Sequence, residues 1–146
     1  MLAISLSREE FKWVRKSALS NEKYACIRIG DSATDLAEIS ERLIQKVYEA
    51  ELQLLFSDNY SAVMHEGMLL PAYDAVIHQK VIEFVEQHKD CDLLYVHCGQ
   101  GICRSAAIVK GLAKLFNWVT ARHGLDGEQC VYPSNNVLKY FEKRED

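Results

Sequence analysis

The stretch Asp92-Leu93-Leu94-Tyr95-Val96-His97-Cys98-Gly99-Gln100-Gly101-Ile102-Cys103-Arg104-Ser105 decides the fold. Its first part, through Val96, is a continuous apolar run, as expected for the central strand of a parallel sheet covered on both faces. From Ser105 the spacing turns helical: Ala107, Val109, Leu112, Leu115 and Phe116 predict a buried helix to about Ala121. Between the two lies a tight turn with glycines at positions 99 and 101.

Working outward, strand and helix alternate. Leu2–Leu6 is a short apolar run, and Ser7-Arg8-Glu9-Glu10 reads as a capping box opening a helix with Phe11, Val14 and Leu19 inside. Tyr24–Ile29 reads as a strand stopped by Gly30-Asp31-Ser32. Leu36, Ile39, Leu43, Ile44 and Val47 predict a helix over 35–50, and Leu52–Phe56 reads as the next strand. Residues 57–70 show no period and are expected to form a loop. Pro71 is expected to open a helix whose apolar face is Val76, Ile77, Val81, Phe84 and Val85. Ser134 is expected to cap a last helix through Phe141, with capping also the first explanation for Asn135 and Asn136. This alternation predicts a single α/β domain over 1–146, with a central, mainly parallel sheet flanked by helices.

Composition narrows the function classes. The chain has 146 residues, 49% hydrophobic and 26% charged, with a net charge of −4, which fits one ordinary globular core. The acidic balance argues against nucleic acid or an anionic membrane as partner. No apolar run approaches the roughly 18 residues of a membrane span. The first six residues are too short for a signal segment. Five cysteines (Cys26, Cys91, Cys98, Cys103 and Cys130), an odd number without C-x-x-C pairs, point to free thiols in a reducing cytoplasm and to no metal framework.

The turn itself carries chemistry. Backbone N–H groups folded inward over Gly99, Gln100, Gly101, Ile102 and Cys103 would ring a tetrahedral oxyanion. Glycine accepts the close approaches that such a ring requires. Arg104 supplies a planar fork for two phosphoryl oxygens. Cys98 would sit on the floor of the cradle, its pKa drawn toward the roughly 3.5–7.5 of activated cysteines, so that a thiolate nucleophile exists at neutral pH. Ser105 can donate its hydroxyl to the sulfur, and His97 can fix the loop through backbone groups.

His97-Cys98-x-x-Gly101-x-x-Arg104-Ser105 resembles the signature loop of the cysteine-based protein-tyrosine and dual-specificity phosphatases at every signature position. The rest of the chain resembles a compact bacterial and viral branch of dual-specificity-like enzymes, with a Leu-x-x-Phe-x-Asp strand end at Leu52–Asp58 and a Pro-led helix before the signature strand. The resemblance implies a protein-tyrosine-phosphatase-like fold, no cofactor, and hydrolysis of phosphate monoesters through a phosphocysteine. It also implies an aspartate general acid on a separate loop. Among Asp31, Asp35, Asp58, Asp74, Asp90 and Asp92, the favoured residue is Asp58, which follows a strand end and matches the family's Phe-x-Asp. Asp31 comes next, also after a strand end. The branch often has two adjacent acidic residues here, whereas this chain reads Ser57-Asp58-Asn59.

Gln100 and Ile102 add no positive charge, which favours a phosphoprotein or small phosphoester over a polyanionic lipid. Tyr60 or Tyr73 could wall a phosphotyrosine pocket, or serve core or surface instead. His65 and Glu66 could line the mouth, or be solvated loop residues. Low-molecular-weight tyrosine phosphatases carry a cysteine at the position of Cys103 that can form a disulfide with the nucleophile. That likeness makes Cys103 a redox partner for Cys98; the alternative is a small residue fitting a tight loop. The expected protein is a monomeric, cytoplasmic enzyme, and the alternative function is a phosphate-reading module without turnover.

Overall fold

The computed structural model describes residues 2–7, 11, 23–31, 48–57, 63–65, 67–98, 104–122 and 135–142. Its core is a five-stranded sheet of β1 (Leu2–Ser7), β2 (Tyr24–Gly30), β3 (Tyr48–Leu55), β6 (Leu93–Cys98) and β7 (Val119–Arg122), in the order β3-β2-β6-β1-β7. All four pairings are parallel. The apolar run of β6 takes the central place, and all six of its residues are buried. Three described helices, α1 (Ala75–Gln87), α2 (Arg104–Phe116) and α3 (Asn135–Glu142), complete the α/β architecture anticipated from the alternating pattern.

Side chains alternate across a strand, and the two faces of the sheet divide accordingly. Ala3, Ala25, Ile27, Ile29, Leu94, Val96 and Cys98 pack in one cluster with Val81, Phe84 and Val85 of α1, Ala107, Ile108 and Leu112 of α2, and Val137 and Phe141 of α3. Leu6, Phe11, Tyr24, Cys26, Leu93 and Tyr95 form the cluster on the opposite face. Burial of each large side chain contributes about 1.5–3 kcal/mol, so the doubly covered β6 anchors the whole layer.

Four expectations need correction. The helix expected over 35–50 cannot include Tyr48–Ala50, because β3 starts at Tyr48 and pairs with β2 from Tyr24 onward. The stretch expected as loop holds an antiparallel pair, β4 (Val63–His65) with β5 (Met68–Leu70), and Gly67, just before β5, takes φ 81°. Strands of three residues are too short to display a period. Pro71 does not open α1: its carbonyl accepts from Ser57 N at 2.8 Å, and Asp74 caps the helix, its side chain accepting from Ile77 N at 2.9 Å. Finally, α2 stops at Phe116. Asn117 takes φ 62°, and Trp118 N donates to Ala113 O at 3.0 Å, the closing bond of a Schellman cap. Asparagine tolerates this left-handed position better than most residues. The chain then re-enters the sheet as β7, where a helix to Ala121 was expected.

Among the described residues, no helix is long and apolar enough to cross a membrane.

Candidate active site

Parallel pairing brings the carboxyl ends of β6, β2 and β3 to one edge of the sheet, where ligands of open α/β folds bind. Cys98 is the last residue of β6, Arg104 the first of α2, Asp31 follows β2, and Phe56 follows β3. Period-two alternation turns Cys98 toward the helix-covered face, at 3% exposure. There its Sγ donates to Ser105 Oγ at 3.3 Å, within the sulfur hydrogen-bond range. Ser105 is fully buried, and its Oγ also meets Ser5 Oγ of β1 at 2.8 Å.

Arg104 is held from two strand ends. Its Nη1 donates to Asp31 Oδ1 at 2.8 Å and to the Phe56 carbonyl at 2.7 Å. A guanidinium has five N–H donors, two of them on Nη1. Both Nη1 protons therefore have acceptors among the described residues, and the edge formed by Nη2 and Nε has the geometry to meet two oxygens of an anion in parallel.

His97 points to the other face. It is fully buried, its ring lies 4.6 Å from that of Phe11, and it pairs in register with Leu6 and Arg28. Arg28 stands over the same Phe11 ring at 5.5 Å and contacts Glu51 at 3.3 Å. The residue before the cysteine thus packs the sheet from behind.

Other sequence candidates separate clearly. Asp90 and Asp92 lie at the opposite end of β6, where Asp92 Oδ2 accepts from Lys23 N at 3.0 Å. Asp74 is committed to the α1 cap. Tyr73 is 2% exposed, bonds His78 Nδ1 through its hydroxyl at 2.8 Å and packs edge-on to Phe56 and Tyr140, so it serves the core. Asn136 is buried in the first turn of α3. His65 belongs to β4 rather than a loop. Asp58, Gly99, Gln100, Gly101, Ile102 and Cys103 lie outside the described residues, as do Asp35, Tyr60, Glu66 and Cys130.

Sequence reasoning missed Ser5 and the Phe56 carbonyl, and it weighed Asp31 as an acid rather than as the partner of Arg104. Ser5 left a faint signal, a lone hydroxyl inside the run Leu2-Ala3-Ile4-Ser5-Leu6. A backbone carbonyl leaves none.

No family model and no curated protein matches the chain. Among solved structures, it is similar to the crystal structure of human tyrosine phosphatase-like serine/threonine/tyrosine-interacting protein, at 17% identity and a TM-score of 0.46, over 90% of this chain and 85% of that one.

Proposed function

We propose that this protein is a cysteine-dependent phosphatase that hydrolyses phosphate monoesters of a phosphoprotein or small phosphoester. The observation that carries the reading is the joint placement of Cys98 and Arg104. The thiol ends the central strand against the Ser105 hydroxyl, while the guanidinium six residues later is anchored at the same sheet edge. In the first step Cys98 attacks phosphorus, the ester oxygen leaves, and Arg104 and the loop N–H groups of residues 99–103 hold the equatorial oxygens. Asp58 protonates the leaving oxygen and then takes a proton from the water that hydrolyses the phosphocysteine. Its assignment draws support from Phe56, two residues earlier, whose carbonyl touches Arg104. Ser105 stabilises the departing thiolate. His97 holds the strand end in place through its packing on Phe11.

Phosphotyrosine or dual specificity, action as a monomer in the cytoplasm, and independence of metal and nucleic acid belong to the same reading. The test is hydrolysis of an aryl phosphate with and without vanadate. Vanadate-sensitive turnover supports the enzyme. Vanadate binding without any turnover favours the phosphate-reading module instead.

A further inference from the structure

Ser5 sits in the middle of β1, 3% exposed, between Ile4 and Leu6. Alternation puts it on the face of Ala3, toward α2, and its Oγ lies 2.8 Å from Ser105 Oγ. Ser105 Oγ in turn lies 3.3 Å from Cys98 Sγ. Three buried groups from β1, α2 and β6 therefore stand in one row ending at the reactive sulfur.

We propose that Ser5 is a positioning residue for Cys98, acting through Ser105. This rests on the reading of Cys98 as the nucleophile. A hydroxyl has one donor and two acceptor sites, so the row can run in either direction. With the thiol protonated, S–H donates to Ser105 and the Ser105 hydroxyl donates to Ser5. With the thiolate, Ser105 turns its O–H to the sulfur, and Ser5 donates to the Ser105 oxygen. The second arrangement ends on a charge, where hydrogen bonds are strongest, and each bond polarises the next. In the second half-reaction the S–P bond breaks and sulfur keeps its electron pair. The water oxygen bonds phosphorus and its proton goes to Asp58. Ser105 then receives the thiolate with an O–H already aimed by Ser5, and no proton moves along the row.

The experiment is the pH dependence of Cys98 alkylation by iodoacetamide, followed on the peptide that contains Cys98, in Ser5→Ala, Ser105→Ala and the double variant. It needs no substrate, so it reads the row even if the protein turns over no phosphoester. Ser5→Ala is expected to move the alkylation midpoint to higher pH and, on an aryl phosphate, to lower kcat roughly fivefold at unchanged KM, the effect of losing one hydrogen bond that supports a charged group. In the Ser105→Ala background, Ser5→Ala is expected to change nothing further. An unchanged midpoint in Ser5→Ala, or an equal shift in both backgrounds, overturns the proposal.

Discussion

Arg104 and Asp31 meet at 2.8 Å across the carboxyl edge of the sheet, with the side chain of Arg104 only 11% exposed. The guanidinium is thus held in one orientation, ready for the anion proposed above. Pre-aiming of this kind removes ordering that binding would otherwise have to impose.

Asp31 and Asp58 are expected to separate by pH profile. Asp31→Asn keeps a neutral acceptor for Arg104, so turnover should fall only about fivefold, with the basic limb of the pH–rate curve intact. Asp58→Asn should lower turnover by roughly 10²–10⁴-fold on esters with poor leaving groups and abolish that limb. Activated aryl phosphates should suffer less. If the limb disappears with Asp31→Asn and survives Asp58→Asn, the two roles exchange.

Cys98→Ser is expected to abolish turnover while retaining vanadate binding, because serine keeps the cradle but does not ionise near neutral pH. Arg104→Lys should be nearly as damaging. A single ammonium cannot serve Asp31, the Phe56 carbonyl and a bidentate anion together. Steady-state kinetics paired with vanadate titration checks both: full activity in Cys98→Ser contradicts the covalent mechanism, and full activity in Arg104→Lys contradicts the bidentate role of the guanidinium.

Peroxide is expected to convert Cys98 to a sulfenic acid, which the Cys103 thiol attacks to give a disulfide and water. Dithiothreitol should then restore activity in the native chain but not in Cys103→Ala, where overoxidation proceeds. Intact mass after peroxide reads the disulfide directly. Equal recovery of both proteins without an intramolecular disulfide argues that Cys103 only fits the loop.

Gly111 of α2 lies directly under the Phe141 ring of α3, and any Cβ at this position would collide with it. Gly111→Val should therefore destabilise the fold by about 1–3 kcal/mol in urea unfolding. In a Phe141→Ala background the same substitution should have little effect, since the obstructing ring is gone.

Alkaline pH should weaken the fold through Cys26. Burial, aided by Glu51, pushes its thiol pKa far above the ordinary range. Tyr73 is raised in the same way by burial and by Tyr140. A raised folded-state pKa means that the native chain keeps a proton the unfolded chain releases. Stability is then full below the unfolded thiol pKa of about 8.5 and falls by about 1.4 kcal/mol per pH unit for each such group above its unfolded value. Urea titrations between pH 8 and 10 should show this slope, and Cys26→Ala should flatten it until tyrosine ionisation begins.

The central strand and the face of α1 were legible because a long apolar run and a helical period survive any context. Cys98 and Arg104 were legible as a spacing. What escaped depends on short or distant relationships. The three-residue strands of the antiparallel pair have no room for a pattern. The end of α2 hangs on a left-handed Asn117 rather than on glycine or proline. The partners of Arg104 come from the ends of two other strands, which no local window connects.

The position of β1 between β6 and β7 has a consequence during synthesis. Ser5 and Ser105 are 100 residues apart, and both sheet neighbours of β1 are made late. At about 5–20 residues per second, the first strand waits roughly 5–20 s beside the ribosome before either neighbour exists. Such distant pairing also makes closure of the sheet slow. A chain interrupted before α2 leaves this apolar strand without its slot, as a substrate for chaperones and proteases. The thiol of Cys98 therefore gains its Ser105 partner, and Ser105 its Ser5 partner, only after the chain through residue 105 has been made.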